Sequence, residues 1–211
     1  DWQTSGKKYP VLYMFDGHNL FFDSTATYGT CWGLKEYCDA HPNWIIAAPE
    51  CNHEGNKRLE EYCPYQSDWF GGITGTGHEY MEWLTKEFKP MMDKRYPTLP
   101  GRANTAIGGS SMGGLMSLYA LLQYNEVFSR AAALSPSIWV SPEKLSGLVS
   151  RAKLAPGTVL YMDYGSREMG NHEGIRREFS NLSGKLMTRG IHLTSRIVPG
   201  GTHSEASWEK Q

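Results

Sequence analysis

The chain has 211 residues, a formal net charge of −1 and a hydrophobic fraction of 40%. That length holds one domain with a sizeable core, and the near-neutral, interspersed charge points away from disorder, nucleic acid and anionic membranes. No apolar run approaches the roughly 18 residues needed to span a bilayer, and no internal repeat or low-complexity segment is present.

Residues 1–8 form neither a signal peptide nor a start methionine and read as a processed or cut end. Cys31, Cys38, Cys51 and Cys63 fall within one third of the chain but lack the close C-x2-C pairs of structural zinc sites. Reduced, buried or half-buried thiols are expected, which favours a cytoplasmic location.

Val11-Leu12-Tyr13-Met14-Phe15 is a continuous apolar run, the pattern of a buried strand, and the turn signal Asp16-Gly17-His18-Asn19 ends it. Trp44-Ile45-Ile46-Ala47-Ala48 repeats the pattern up to Pro49. Residues 50–77 are polar, rich in aromatics and without period. They are too long for a plain connection and are expected to form a functional loop. Trp69, Phe70 and Tyr62 in that loop, with Trp139 further on, are candidates to line a substrate pocket, although core packing would use such side chains equally well. Gly71, Gly72, Gly75 and Gly77 neither directly follow a strand nor precede Lys-Ser/Thr, so a phosphate-binding loop or dinucleotide fingerprint fails there.

Apolar residues recur at helical spacing over residues 78–96, with Pro90 placed to kink or split the helix. A strand is predicted over 105–108, then a helix to about residue 125. Short strands follow at 131–134 and 159–164, then a helix over 173–189, a strand over His192–Val198 and a last helix over 204–210. Strands alternating with helices predict an α/β fold, a mostly parallel sheet with helices on both faces. Functional groups in such sheets gather at the carboxyl ends of the strands.

One stretch organises the rest. Gly109-Ser110-Ser111-Met112-Gly113 reads G-x-S-x-G between a buried strand and a helix, the context in which a serine is held up on a strained turn. A serine hydroxyl needs a base to act as a nucleophile. Among seven histidines, His203 has the best context, after a strand end and a double glycine. His53 and His78 lie in or beside the long loop, and His41, His172 and His192 read as surface or helix-edge residues.

The base needs a carboxylate to fix its tautomer. Asp163, within its strand, and Glu168, three residues past Gly165, both qualify, and Glu168 has the better reach. An oxyanion needs preorganised donors. The backbone N–H of Met112 is one candidate and that of His18 the other, and the role of the His18 imidazole stays open.

With these residues in view, the chain resembles the esterase D-like branch of the α/β-hydrolases. That group includes feruloyl and acetyl-xylan esterases, ferric-siderophore esterases, S-formylglutathione hydrolases and mycolyltransferases. The resemblance rests on Tyr9-Pro10-Val11-Leu12-Tyr13 with Asp16-Gly17, and on Ile107 to Gly114 around Ser111. It extends through Ser135-Pro136-Ser137-Ile138-Trp139, Gly165-Ser166-Arg167-Glu168, and Gly201-Thr202-His203 with Trp208. It implies an α/β-hydrolase fold with Ser111 as nucleophile, His203 as base, Glu168 as acid, and the N–H groups of His18 and Met112 as oxyanion hole. Relatives carry two antiparallel strands before the Tyr-Pro-Val-Leu-Tyr strand and finish the helix that stops here at Gln211. Residues 1–211 are therefore expected to be one catalytic domain, truncated at both ends and lacking the antiparallel strands.

The expected activity is a serine carboxylesterase that forms an acyl-enzyme and needs no metal or cofactor. Its partner is a small-molecule ester, whether short acyl, aryl (feruloyl-like) or siderophore. Acyl transfer by the same residues and a non-catalytic binding domain on the same scaffold are the alternatives.

Overall fold

The computed structural model describes residues 6–168 and 173–211. Its centre is one sheet of six strands: β1 (Val11–Met14), β2 (Ile45–Ala47), β3 (Thr105–Ser110), β4 (Arg130–Leu134), β5 (Val159–Gly165) and β6 (His192–Val198). Their order is β2-β1-β3-β4-β5-β6, and every pairing is parallel. The predicted α/β-hydrolase-like architecture is therefore present, with all named strands running one way. Parallel strands are covered on both faces, which is why β1 and β3 read as unbroken apolar or small-residue runs. All six residues of β3 are buried. By contrast, β6 is an edge strand and is mostly exposed.

The helices are α1 (Leu34–Ala40), α2 (Lys57–Glu61), α3 (Gly77–Trp83), α4 (Lys89–Arg95), α5 (Met112–Gln123), α6 (Pro142–Arg151), α7 (Glu173–Met187) and α8 (Glu205–Trp208). Every residue of α5 from Met112 to Leu122 is buried. A helix apolar all round belongs inside the molecule, and this one rises directly from β3. Between α3 and α4 the path widens into a π turn over Leu84–Phe88. Pro90, at the start of α4, has no N–H to donate to the preceding turn, so the predicted disturbance takes the form of a loosened turn rather than a break.

Two elements depart from the sequence expectation. Helix α6 was not anticipated, although Ser141-Pro142-Glu143 is a fair helix start and Leu145, Leu148 and Val149 form its buried face. The long segment after β2 is not an open loop. It contains α2 and a single helical turn over Trp69–Gly71, and Tyr62 and Cys63 within it are fully buried. Tyr62 sets its ring edge-on to Phe15 at 4.9 Å and to Tyr80 at 5.4 Å, tying the segment to the core. Cys31 and Cys38 are half-buried, Cys51 and Cys63 are buried, and all four are free thiols. Among the described residues no helix is long and apolar enough to cross a membrane.

Candidate active site

Strand β3 lies between β1 and β4, inside the sheet. At its carboxyl end the chain turns sharply into α5, and Ser111 takes φ 58° and ψ −121°. A non-glycine residue there is strained and must be held by its surroundings. The holding is done by the end of β4 and the residues after it: the Ser111 N–H donates to the Leu134 carbonyl at 3.0 Å, and the Ser111 carbonyl accepts from the Ser137 N–H at 3.0 Å. The glycines of the motif permit the closeness. A β-carbon on Gly109 would sit 3.0 Å from the Gly113 backbone, and one on Gly113 would sit 2.9 Å from Phe15 Cβ.

His203 follows β6, and its Nδ1 is 2.9 Å from Glu168 Oε2. Glu168, only 2% exposed, is gripped on its other oxygen. Oε1 accepts from the Gly165 N–H at 2.6 Å and from the Ser135 hydroxyl. Ser135 Oγ in turn accepts from Trp208 Nε1 at 2.8 Å, and the Trp208 ring stands edge-on to His203 at 4.9 Å. Gly165 and Gly201 bring the two strand ends together, since a β-carbon on Gly165 would lie 2.4 Å from the Gly201 carbonyl oxygen. Sequence reasoning noticed Trp208 by its spacing but gave Ser135 no part. Ser135 stands at positive φ (45°), which nothing in a Ser-Pro-Ser run announces.

Of the two candidate carboxylates, Glu168 is the one on His203. Asp163 faces elsewhere, accepting from the Ser135 N–H at 3.0 Å and the Tyr161 hydroxyl at 2.8 Å. Burial pushes its carboxyl above the ordinary range.

Ser111 and His203 line one cavity of about 290 Å3. Its opposite wall comes from the turn after β1 and the segment after β2. Asp16 adopts φ 56° and is paired in a fork with Arg58, Nε to Oδ1 at 2.6 Å and Nη2 to Oδ2 at 2.7 Å. The His18 imidazole is anchored on both nitrogens, Nδ1 to Glu50 Oε2 at 2.7 Å and Nε2 to Thr27 Oγ1 at 3.0 Å. Among the described residues, neither the His18 nor the Met112 backbone N–H is taken by a protein acceptor. Glu205, buried beside His203 on the same cavity, has its carboxyl pushed up by burial and then by the Asp16 charge. Burial likewise pushes the Cys51 thiol up to about 12. The sequence marks Asp16 only as a turn residue and Cys51 only as a thiol, and Arg58 and Glu205 lie outside a recognisable motif.

Trp69 and Phe70 gather on Trp139, ring centroids 4.9 and 5.7 Å apart. Trp69 and Trp139 line a second cavity, of about 470 Å3, which shares no lining residue with the one holding Ser111. His78 Nδ1 bonds the Tyr124 hydroxyl at 2.9 Å, and His41 Nδ1 bonds the Tyr37 carbonyl at 3.0 Å. Both are structural contacts away from the cavity, and His192 is exposed at the start of β6. His172 lies outside the described residues.

Comparison with known proteins places the chain among esterases. The Esterase family model, described as "Putative esterase", matches residues 1–211. "Uncharacterized protein YbbA" of Bacillus subtilis is 26% identical over 222 residues, covering 100% of this chain and 85% of its own length. The siderophore triacetylfusarinine C esterase of Aspergillus fumigatus is 26% identical over 141 residues, 66% of this chain and 48% of that protein. Among solved structures, an IroE-like serine hydrolase from Shewanella oneidensis superposes with a TM-score of 0.75 at 22% identity, over 98% of this chain and 69% of that one. The enterobactin esterase FES from Shigella flexneri gives a TM-score of 0.74 at 19% identity, over 97% of this chain and 49% of that one. With the family model matched along its whole length, the chain belongs to the Esterase family and is a carboxylic ester hydrolase.

Proposed function

We propose that residues 1–211 form a single catalytic domain that hydrolyses small esters through Ser111, His203 and Glu168 by way of an acyl-enzyme. The observation that carries this reading is the hydrogen bond between His203 Nδ1 and the buried Glu168 carboxylate, on a cavity that also holds the strained Ser111. Donating Nδ1–H to Glu168 fixes the tautomer and leaves Nε2 as the basic nitrogen facing the cavity. His203 Nε2 takes the Ser111 proton as Oγ attacks the ester carbonyl. The oxyanion that forms is met by the backbone N–H groups of Met112 and His18, both without protein acceptors, and such fixed donors lower the barrier most where charge develops. His203 then protonates the leaving alcohol, and water releases the acyl group by the same route.

The cavity, at about 290 Å3, sits at the small end for ligand sites. It suits a short acyl or single-ring aryl group, with the alcohol part of the ester outside. Two of the named relatives, the triacetylfusarinine C esterase and the enterobactin esterase, are siderophore esterases, and a siderophore fragment is the substrate class their likeness supports. A fluorophosphonate should label the wild type at Ser111 and leave Ser111→Ala unlabelled, while Ser111→Ala, still folded, loses about 10⁴-fold or more of its turnover of a p-nitrophenyl ester. Labelling or comparable turnover in Ser111→Ala rejects the assignment. Rates on acetyl, butyryl, feruloyl and catecholate lactone esters then rank the acyl groups.

A further inference from the structure

On the cavity that Ser111 also lines, the donor atoms of His18, Cys51 and His53 all lie within 4.8 Å of one another. Two of the three are built in: Cys51 is buried, and the His18 side chain is 12% exposed and bonded on both nitrogens. The third, His53, is 60% exposed. Its ring meets the His18 ring edge-on at 4.7 Å. One carboxylate oxygen, Glu50 Oε2, holds both rings, 2.7 Å from His18 Nδ1 and 3.3 Å from His53 Nε2. A carboxylate behind imidazole ligands is the arrangement that orients them toward a metal.

We propose that His18, Cys51 and His53 form a binding site for a borderline-soft divalent cation of the zinc class, and that its occupation closes the cavity to ester. One thiolate with two imidazoles is a donor set that favours zinc over magnesium or calcium. Tetrahedral zinc with Zn–S and Zn–N bonds of about 2.3 and 2.0 Å needs donors about 3.3–3.6 Å apart. The cluster must therefore contract by about 1 Å, through movement of the exposed His53 ring and release of one bonded His18 nitrogen, while the buried Cys51 stays in place. On binding, the Cys51 S–H bond breaks, sulfur bonds the metal, and the proton leaves to solvent. Water fills the remaining position. The metal also draws a His18 ring nitrogen from its present partner and so disturbs the turn whose N–H faces the oxyanion. Closure rests on the serine-esterase reading; metal binding does not.

Titration with Co²⁺ separates the two. The wild type should develop a thiolate-to-cobalt charge-transfer band in the near ultraviolet, absent in Cys51→Ser and weakened in His53→Gln. Zn²⁺ should inhibit wild-type ester turnover reversibly, with recovery on adding a chelator. The midpoint should rise by about tenfold or more in Cys51→Ser and His53→Gln, each read against its own uninhibited rate. His53→Gln changes an exposed ring and keeps the test alive if Cys51→Ser folds poorly. A wild type without the band, or a band undiminished in Cys51→Ser, overturns the site. Inhibition equally strong in both variants overturns closure and puts the metal elsewhere, on His203 for instance.

Discussion

On one side of the cavity Ser111 and His203 stand directly after β3 and five residues past β6, with Glu168 bonded to His203 three residues past β5. On the other side Asp16, His18, Cys51, His53 and Arg58 come from a turn after β1 and from the long segment after β2. The first wall is positioned by the sheet. Its side chains inherit the register of parallel strands and are locked by a chain of hydrogen bonds from Trp208 through Ser135 to Glu168. The second wall is positioned by charge pairing and by aromatic packing of Tyr62 on Phe15. Damage to the first wall should therefore cost rate, and damage to the second should cost stability.

The largest expected effect tests the first wall. Glu168→Gln keeps the volume but replaces the acceptor facing His203 Nδ1 with an amide that can present N–H instead, favouring the wrong tautomer. A loss of about 10³–10⁴-fold in kcat/KM on a short p-nitrophenyl ester is expected. Asp163→Asn, within the same strand β5 but bonded to Ser135 and Tyr161 rather than His203, should lose less than about tenfold. Equal losses would mean that the two carboxylates are not divided in role.

The second wall breaks differently. Arg58→Ala leaves the Asp16 carboxylate, 7% exposed, without its forked partner. Removing one member of a buried pair costs about 3–5 kcal/mol. Because the Arg58 side chain is 30% exposed, solvent reaches the pair and about 2–4 kcal/mol is expected. Urea unfolding should show that loss in Arg58→Ala, and at least half of it should return in the double variant Asp16→Asn with Arg58→Met. Asparagine tolerates the left-handed backbone that Asp16 adopts. A double variant no more stable than the single one would remove charge pairing as the cause.

The same division explains what could be read from the residues alone. Ser111, His203 and Glu168 were legible because each sits at a strand end marked by glycines, and strand ends show in sequence as apolar runs stopping. The order of the strands was legible as a class, since alternation with helices implies a parallel sheet, but the register was not. The Asp16–Arg58 pair was hidden because its members are 42 residues apart and neither lies in a periodic pattern. The burial of Cys63 fits a thiol expected to be buried or half-buried, but a stretch without period gives no face to assign to Tyr62 beside it. Helix α6 is the opposite case, since its start signal Ser141-Pro142-Glu143 and its apolar face of Leu145, Leu148 and Val149 are both present in the sequence.

A smaller effect sharpens the account of the nucleophile turn. If Ser111 is held in strain at φ 58°, a glycine there, for which that region is open, should release it. Strain of about 1–3 kcal/mol, less the entropy glycine loses on folding, about 0.5–1 kcal/mol, leaves Ser111→Gly more stable than Ser111→Ala by about 0.5–2 kcal/mol. Both variants lack the hydroxyl, so the comparison isolates the backbone. A Ser111→Gly midpoint in urea below that of Ser111→Ala would show that the turn carries no strain, since glycine's entropic cost would then stand alone.

The smallest effect returns to the two carboxylates and asks about charge rather than rate. Burial raises the Asp163 carboxyl above the ordinary range, and the Glu168 charge adds to the rise, against hydrogen bonds from Tyr161 and Ser135. A carboxyl with a raised folded-state pKa holds its proton more tightly folded than unfolded. Its contribution to stability is fully present below the ordinary aspartate range, near pH 4, and is lost as pH rises through the raised value. Asp163→Asn removes that dependence, so its stability relative to wild type should climb with pH across this window and then level off. Glu168→Gln should narrow the same window, because it removes the charge that helps raise Asp163. A stability difference between Asp163→Asn and wild type that stays flat with pH would mean that Asp163 ionises inside the fold at no cost, its two hydrogen bonds fully offsetting its burial.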